Sequence, residues 1–210
     1  DSAKAIAALL LTAPGTPFLY QGEELGMTNV AFPAIDDYRD ISAHDRYRQA
    51  VADGKSEAEA LAIIHRESRD NGRTPMQWTA LPNAGFTTGT PWIGVNPNYV
   101  QINAEAELAD KDSVLHWYRS LIALRKRNPA LVYGEYEFLE LGSGIYAYAR
   151  SHESRRFTII LNWSSKAEKA ELPQAWADCC RNLPLCSYRQ PQGNPQNLLL
   201  LPWEARLYEN

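Results

Sequence analysis

Helix-forming apolar residues crowd the start of the chain, and Pro14-Gly15 ends the run, which predicts a helix over residues 2–12. Thr16-Pro17-Phe18-Leu19-Tyr20 follows as a short apolar, aromatic run bounded by Gly15 and Gly22, the pattern of a buried parallel strand. Helix followed by buried strand points to the α/β class. Residues 21–41 lose all periodicity around Gly22, Gly26, Asn29 and Pro33 and read as a long loop. A helix is expected over residues 44–52. A second follows from Ser56, where Glu59 three residues on completes a capping box, and runs to about Glu67.

Residues 69–100 break the pattern again with Pro75, Pro82, Pro91 and Pro97 among Trp78, Phe86 and Trp92. The next helix is the clearest, over residues 112–127 with Asp112 or Ser113 as its cap. Val114, Leu115, Tyr118, Leu121 and Ile122 share one face, and Arg125-Lys126-Arg127 lie at the end where cations complement the dipole. That basic run reads as a solvated helix end. From about Val132 the period becomes strand-like, over 135–141, 145–150, 155–163, 167–172 and 198–208, separated by Gly142-Ser143-Gly144 and similar turns, as in an antiparallel sandwich. Two domains are expected, residues 1–132 and 133–210.

Composition narrows the partners. The 210 residues are 45% hydrophobic with a formal net charge of −4, which suits a globular chain and opposes binding to a phosphate backbone, so no nucleic acid is expected. No apolar run approaches the roughly 20 residues of a membrane helix, so no membrane is expected either. Six Trp and 11 Tyr make a sugar-binding surface worth seeking. Cys179, Cys180 and Cys186 lack both the even number of a disulfide framework and any C-x-x-C spacing. They read as free thiols in a reducing cytosol, and the protein as cytoplasmic. No cofactor is implied. The four histidines, His44, His65, His116 and His152, lie far apart, so no metal site is assigned. The chain begins Asp1-Ser2-Ala3 without Met or a leader and is expected to be a piece of a longer protein.

The run from Gly15 to Asn29, GTPFLYQGEELGMTN, resembles the eighth barrel strand and following loop of α-amylase-type glycoside hydrolases. Taken with Ile35 to Ile41 (IDDYRDI), Ser68 to Trp78 (SRDNGRTPMQW), Asn83 to Thr87 (NAGFT) and Val95 to Tyr99 (VNPNY), it is similar to the oligo-1,6-glucosidase group. That group includes α-glucosidases, dextran glucosidases, trehalose-6-phosphate hydrolases and sucrose isomerases. The resemblance implies α/β plus all-β architecture: the C-terminal part of a (β/α)8 barrel, with its last strand and helices, followed by an antiparallel β-sandwich domain. It also implies a retaining, exo-acting α-glucosidase acting on short α-glucosides.

By the same resemblance the nucleophile, the acid/base and the transition-state-stabilising carboxylates precede Asp1, so no catalytic residue is assigned and the chain alone is expected to be inactive. Glu23 and Glu24 are no substitute, because neighbours leaving a strand point to opposite faces whereas a retaining pair sits roughly 5 Å apart across one bond. Arg69, first of the Arg-Asp-Asn-x-Arg-Thr-Pro run, is expected to bind the non-reducing glucose. Asp70, Arg73 and Gln77 are expected to brace its loop, and Trp78 to be core. Ser42 stands where the family commonly has Glu on the leaving-group side, which leaves the preferred aglycone open; His44 alone among the histidines is expected to face the pocket in its place. The expected partners are a small α-glucoside and either the missing N-terminal barrel part or a second copy, since a barrel strand without neighbours exposes its backbone. A non-catalytic carbohydrate-binding or accessory module is the alternative.

Overall fold

The computed structural model describes residues 2–142 and 144–210. Asp1, the expected start, and Ser143, read as part of a turn, lie outside the described residues. The helices are α1 (Ser2–Thr12), α2 (Ile41–Ala52), α3 (Glu57–Glu67), α4 (Ala104–Ala109), α5 (Val114–Arg127), α6 (Pro129–Tyr133) and α7 (Gln174–Ala177). The strands are β1 (Glu135–Glu140), β2 (Ile145–His152), β3 (Arg155–Asn162), β4 (Glu168–Ala170), β5 (Asn182–Cys186), β6 (Gln192–Asn194), β7 (Asn197–Leu200) and β8 (Ala205–Glu209). They fall into two compact units, one of Tyr20–Leu115 and one of the residues up to Leu19 with His116–Asn210.

In the unit of Tyr20–Leu115, α2 and α3 pack against irregular chain. Ser56 and Glu59 form the expected capping box: Ser56 Oγ accepts from Glu59 N at 3.3 Å and Glu59 Oε2 accepts from Ser56 N at 2.9 Å. Helix α2 begins three residues earlier than its apolar pattern predicts, because Asp40 caps it by accepting from Ser42 N at 3.2 Å. Val30, Phe32, Tyr38, Ala43, Ile64 and Ile93 make one buried cluster, so the loops carry their own core. Gln77 is fully buried and donates to Asn98 Oδ1 at 3.1 Å and to the Ile102 carbonyl, bracing its loop as expected.

The other unit holds two antiparallel sheets, of strand order β1-β2-β3-β8-β5 and β4-β7-β6. Hairpin β2–β3 pairs Ala147 with Ile160 and Tyr148 with Ile159, and alternation sends its two faces different ways. Ile145, Ala147, Ala149 and Ile160 join Leu198 and Leu200 of the second sheet in one apolar cluster. On the opposite face Tyr148 is buried and shares a 2.5 Å hydrogen bond with Thr12 Oγ1 of α1.

Three sequence expectations fail here. Residues 16–20 form no strand, and Phe18 is 83% exposed. A strand exists only as part of a ladder, and no described segment pairs with this one. The single strand expected over 198–208 is two, β7 and β8, in different sheets; Pro202 cannot donate to a ladder and Trp203 takes a left-handed φ of 58°. Arg125 is not part of a solvated helix end. It is buried and donates to the carbonyls of Leu11 (2.9 Å), Leu131 (2.7 Å) and Gly15 (2.7 Å). Buried Arg150 does the same for Thr12 (2.6 Å), Leu131 (3.1 Å) and Gly134 (3.0 Å). Together they satisfy carbonyls that the ends of α1 and α6 leave without helical partners. Gly134 is required beside them, because a Cβ there would lie 2.2 Å from the Ala130 carbonyl oxygen.

The ion pair of Arg206 and Glu204 is fully buried, Nε to Oε1 at 2.6 Å, with the other carboxylate oxygen accepting from Leu201 N at 2.6 Å. Arg206→Met strands that carboxylate and is expected to destabilise this unit by about 3 to 5 kcal/mol. Arg206→Met with Glu204→Gln is expected to recover part of the loss. Denaturant unfolding of the complete protein checks both, and a neutral single substitution would refute the assignment.

Candidate functional site

The site is built from two short segments locked together by a buried acid. Ser68 Oγ accepts from Asp70 N at 3.1 Å and starts a single tight turn over Arg69–Gly72. Within it Asp70 is fully buried. Its Oδ2 accepts from the backbone N–H groups of Arg39 (2.6 Å) and Asp40 (2.8 Å), and its Oδ1 accepts from Arg73 Nη1 at 3.2 Å. The bracing role expected of Asp70 and Arg73 is thus a set of named hydrogen bonds.

That lock presents Asp40 to Arg69. Asp40, itself buried, accepts from Arg69 N at 3.3 Å, from Nε at 3.0 Å and from Nη2 at 2.5 Å. The same Nη2 reaches Ser42 Oγ at 3.0 Å. Hydrogen bonding from the Arg69 guanidinium outweighs the burial penalty and pulls the Asp40 carboxyl down to about 2. The Arg69 side chain is 62% exposed, and among the described residues its Nη1 donates to nothing. Arg69 and Ser42, singled out from sequence, therefore lie side by side. They line a cavity of about 250 Å³ with Asp40, Ser68, Arg46 and Glu67.

Sequence reasoning missed Asp40, Arg46 and Glu67. Asp40 carried a usable signal, a capping-type residue just before a helix. Arg46 is one helical turn beyond Ser42, and its partner Glu67, at 2.6 Å, comes from another helix, so only the fold brings that pair together.

Other candidates are committed elsewhere. Glu24 Oε2 accepts from Gly22 N at 2.8 Å and Glu23 Oε2 from Tyr20 N at 3.4 Å, both bonds within their own turn. His44 Nε2 is bonded to the Tyr38 carbonyl at 2.9 Å and is not among the residues lining the Arg69 cavity. Trp78 is 49% exposed and not core: it lies on an irregular loop, where a large ring is not drawn inward by helical or strand periodicity. Burial pushes the Cys180 and Cys186 thiols up to about 11, which keeps both protonated and unreactive at neutral pH.

A guanidinium clamped by a buried carboxylate stands at the rim of a polar cavity, in a chain that also carries two antiparallel sheets. Residues 1–134 match the catalytic domain of α-amylase, and the chain belongs to the α-amylase family. The oligo-1,6-glucosidase of Parageobacillus thermoglucosidasius is 44% identical over 212 residues, covering 100% of this chain and 38% of its own length. The trehalose-6-phosphate hydrolase of Escherichia coli is 42% identical over 97% of this chain and 37% of its own. The chain thus spans well under half the length of these curated relatives. Among solved structures, the trehalose-6-phosphate hydrolase of Bacillus licheniformis superposes with a TM-score of 0.92 at 38% identity, over 99% of this chain and 38% of that one. The isomaltulose synthase of Klebsiella sp. LX3 superposes with a TM-score of 0.90 at 40% identity, over 99% of this chain and 38% of its own.

Asp40→Asn keeps a capping side chain and removes the charge that holds Arg69. Because the native carboxyl titrates below its ordinary value of 3.8, the stability it confers is complete above that pH and is lost as pH falls through about 2. The variant is expected to melt at a lower temperature than the parent at pH 7, with the gap closing between those two values. Thermal unfolding across that range checks it, and a gap that ignores pH would contradict the pairing.

Proposed function

We propose that the chain is the C-terminal portion of a retaining, exo-acting α-glucosidase of the oligo-1,6-glucosidase kind, which releases terminal glucose from short α-glucosides through a covalent glucosyl intermediate. In this reading residues 1–132 complete a (β/α)8 barrel, with the segment around Thr16 to Tyr20 as a strand that pairs with the rest of the barrel. Residues 133–210 form an antiparallel β-sandwich appended to it. The enzyme is cytoplasmic, consistent with three free cysteines. The observation that carries the proposal is the Arg69–Asp40–Ser42 arrangement at an open polar cavity, in a chain whose whole length aligns with α-glucoside-acting relatives.

Each side chain then has a task. Asp40 spends its oxygens on Arg69 and on the start of α2, fixing the plane of the guanidinium. Arg69 keeps Nη1 for the hydroxyls of the terminal glucose, and a planar donor fork held in place orients the sugar at little entropic cost. Ser42 sits where the leaving sugar lies. A carboxyl held at about 2 carries no proton at neutral pH, so Asp40 is unsuited to act as the general acid of such a reaction. The acid and the nucleophile belong to the part of the enzyme outside this chain.

In the complete protein Arg69→Ala is expected to lower kcat/KM by about ten- to a hundredfold or more, the worth of a charge-assisted contact plus lost orientation. Ser42→Glu is expected to move preference toward isomaltose-like substrates, and the 210-residue chain alone is expected to hydrolyse no α-glucoside. Kinetics on isomaltose, maltose, sucrose and trehalose 6-phosphate read all three. Unchanged efficiency without Arg69, an unaltered ranking with Glu at position 42, or turnover by the pure chain would each overturn its part.

A further inference from the structure

The cavity beside Arg69 contains two carboxylates, and they are not equivalent. Both oxygens of Asp40 are occupied: Oδ1 by Ser42 N, Arg69 Nε and Arg69 Nη2, and Oδ2 by Arg69 N and Arg69 Nε. Glu67 lines the same cavity from the end of α3. Its Oε2 accepts from Arg46 Nη1 at 2.6 Å, while among the described residues its Oε1 accepts from nothing. The side chain is half-exposed, so the open oxygen is reachable from solvent. The hydroxyl of Ser42 accepts from Arg69 Nη2 and carries no charge. A polyhydroxylated ligand entering here meets one charged acceptor with spare capacity, and it is Glu67.

We propose that Glu67 is a specificity-determining residue that accepts a hydrogen bond from a hydroxyl of the leaving sugar, and that Arg46 is the positioning residue that aims it. The assignment rests on the α-glucosidase reading above and deepens it. Arg46 lies four residues after Ser42 on α2, on the same helix face, so the pair stands one turn farther along the cavity than the Arg69–Ser42 contact. A single charge-assisted bond fixes one Glu67 oxygen and leaves the other turned to the ligand. The class recognised is a neutral disaccharide whose aglycone is itself a sugar with a free hydroxyl donor.

The test compares two substrates in the complete protein: isomaltose, whose leaving group is glucose, and p-nitrophenyl α-glucoside, whose leaving group donates no hydrogen bond. Glu67→Gln is expected to raise KM for isomaltose and to lower kcat/KM about tenfold, with the aryl glucoside changed less than twofold. Arg46→Ala is expected to reproduce a smaller part of that loss, and Arg46→Lys to restore most of it. Because both side chains are solvent-exposed, the melting temperature is expected to stay the same, and a folding defect would show as loss on both substrates. Equal effects on the two substrates, or none, overturn the role of Glu67. Loss on Arg46→Ala that Lys does not restore overturns the positioning role. Absence of wild-type turnover on every α-glucoside overturns the glucosidase reading itself, and so is distinguishable from either.

Discussion

A carboxylate sealed from solvent sets the geometry on which the site depends. Asp70 has no exposed surface, and a polar group buried there is tolerable only if its oxygens are met by donors. They are met from two places: the backbone before α2 and the Arg73 side chain in its own turn. Satisfying Asp70 therefore fixes residues 39 and 40 against the turn that carries Arg69. Once those two segments are joined, Asp40 faces Arg69 through backbone and side chain at once, α2 acquires its cap, and Ser42 comes within 3.0 Å of the guanidinium. Removing any donor to Asp70 would leave a buried acceptor unmet and loosen the whole sequence of contacts.

The unit that carries the sheets solves a different problem with the same residue type. Helix ends that point into packed chain leave carbonyls without partners. Arg125 spends both of its Nη groups on those carbonyls and Arg150 its Nε and both Nη groups, so their charge is met by backbone dipoles instead of acids. Burial lowers the pKa of both, yet the guanidinium starts so high that each remains charged. Arg206 is the exception with an acid of its own, Glu204, and its charged form is further favoured by that contact even against desolvation.

Elements whose signals are local were legible in sequence. The capping box at Ser56 and Glu59 fixed the start of α3, and the β-rich runs over 145–150 and 155–163 correspond to β2 and β3. What depended on distant partners was not. The aromatic run from Thr16 to Tyr20 reads as a strand but has no ladder among the described residues. Arg125 looked like any cation at a helix end, because two of the carbonyls it binds, those of Leu11 and Gly15, lie more than a hundred positions away. Strands β5 and β6 are short and interrupted by Pro and Gly, so they lack the alternation that would mark them. In the site, the family motif pointed to Arg69 and Ser42, but Glu67 came into view only when two helices were seen to share one cavity.

The balance of charge in that cavity explains what it can hold. Arg69 is neutralised by Asp40 and Arg46 by Glu67, so the walls carry two cations and two anions and no strong net field. An ionic ligand gains little from such a surface, while a neutral one with many hydroxyls gains from every uncommitted donor and acceptor. Uncommitted atoms of both kinds line it, Nη1 of Arg69 and Oε1 of Glu67 among them, each on a side chain that an ion pair holds. Ion pairing here acts less as a source of stability, since Arg69, Arg46 and Glu67 are substantially exposed and solvent screens them, than as a way to fix which atoms remain available. Ser42 suits that arrangement because a hydroxyl accepts from Arg69 without adding a fifth charge. The residue at position 42 and the Arg46–Glu67 pair thus line one cavity in which the charges are already paired.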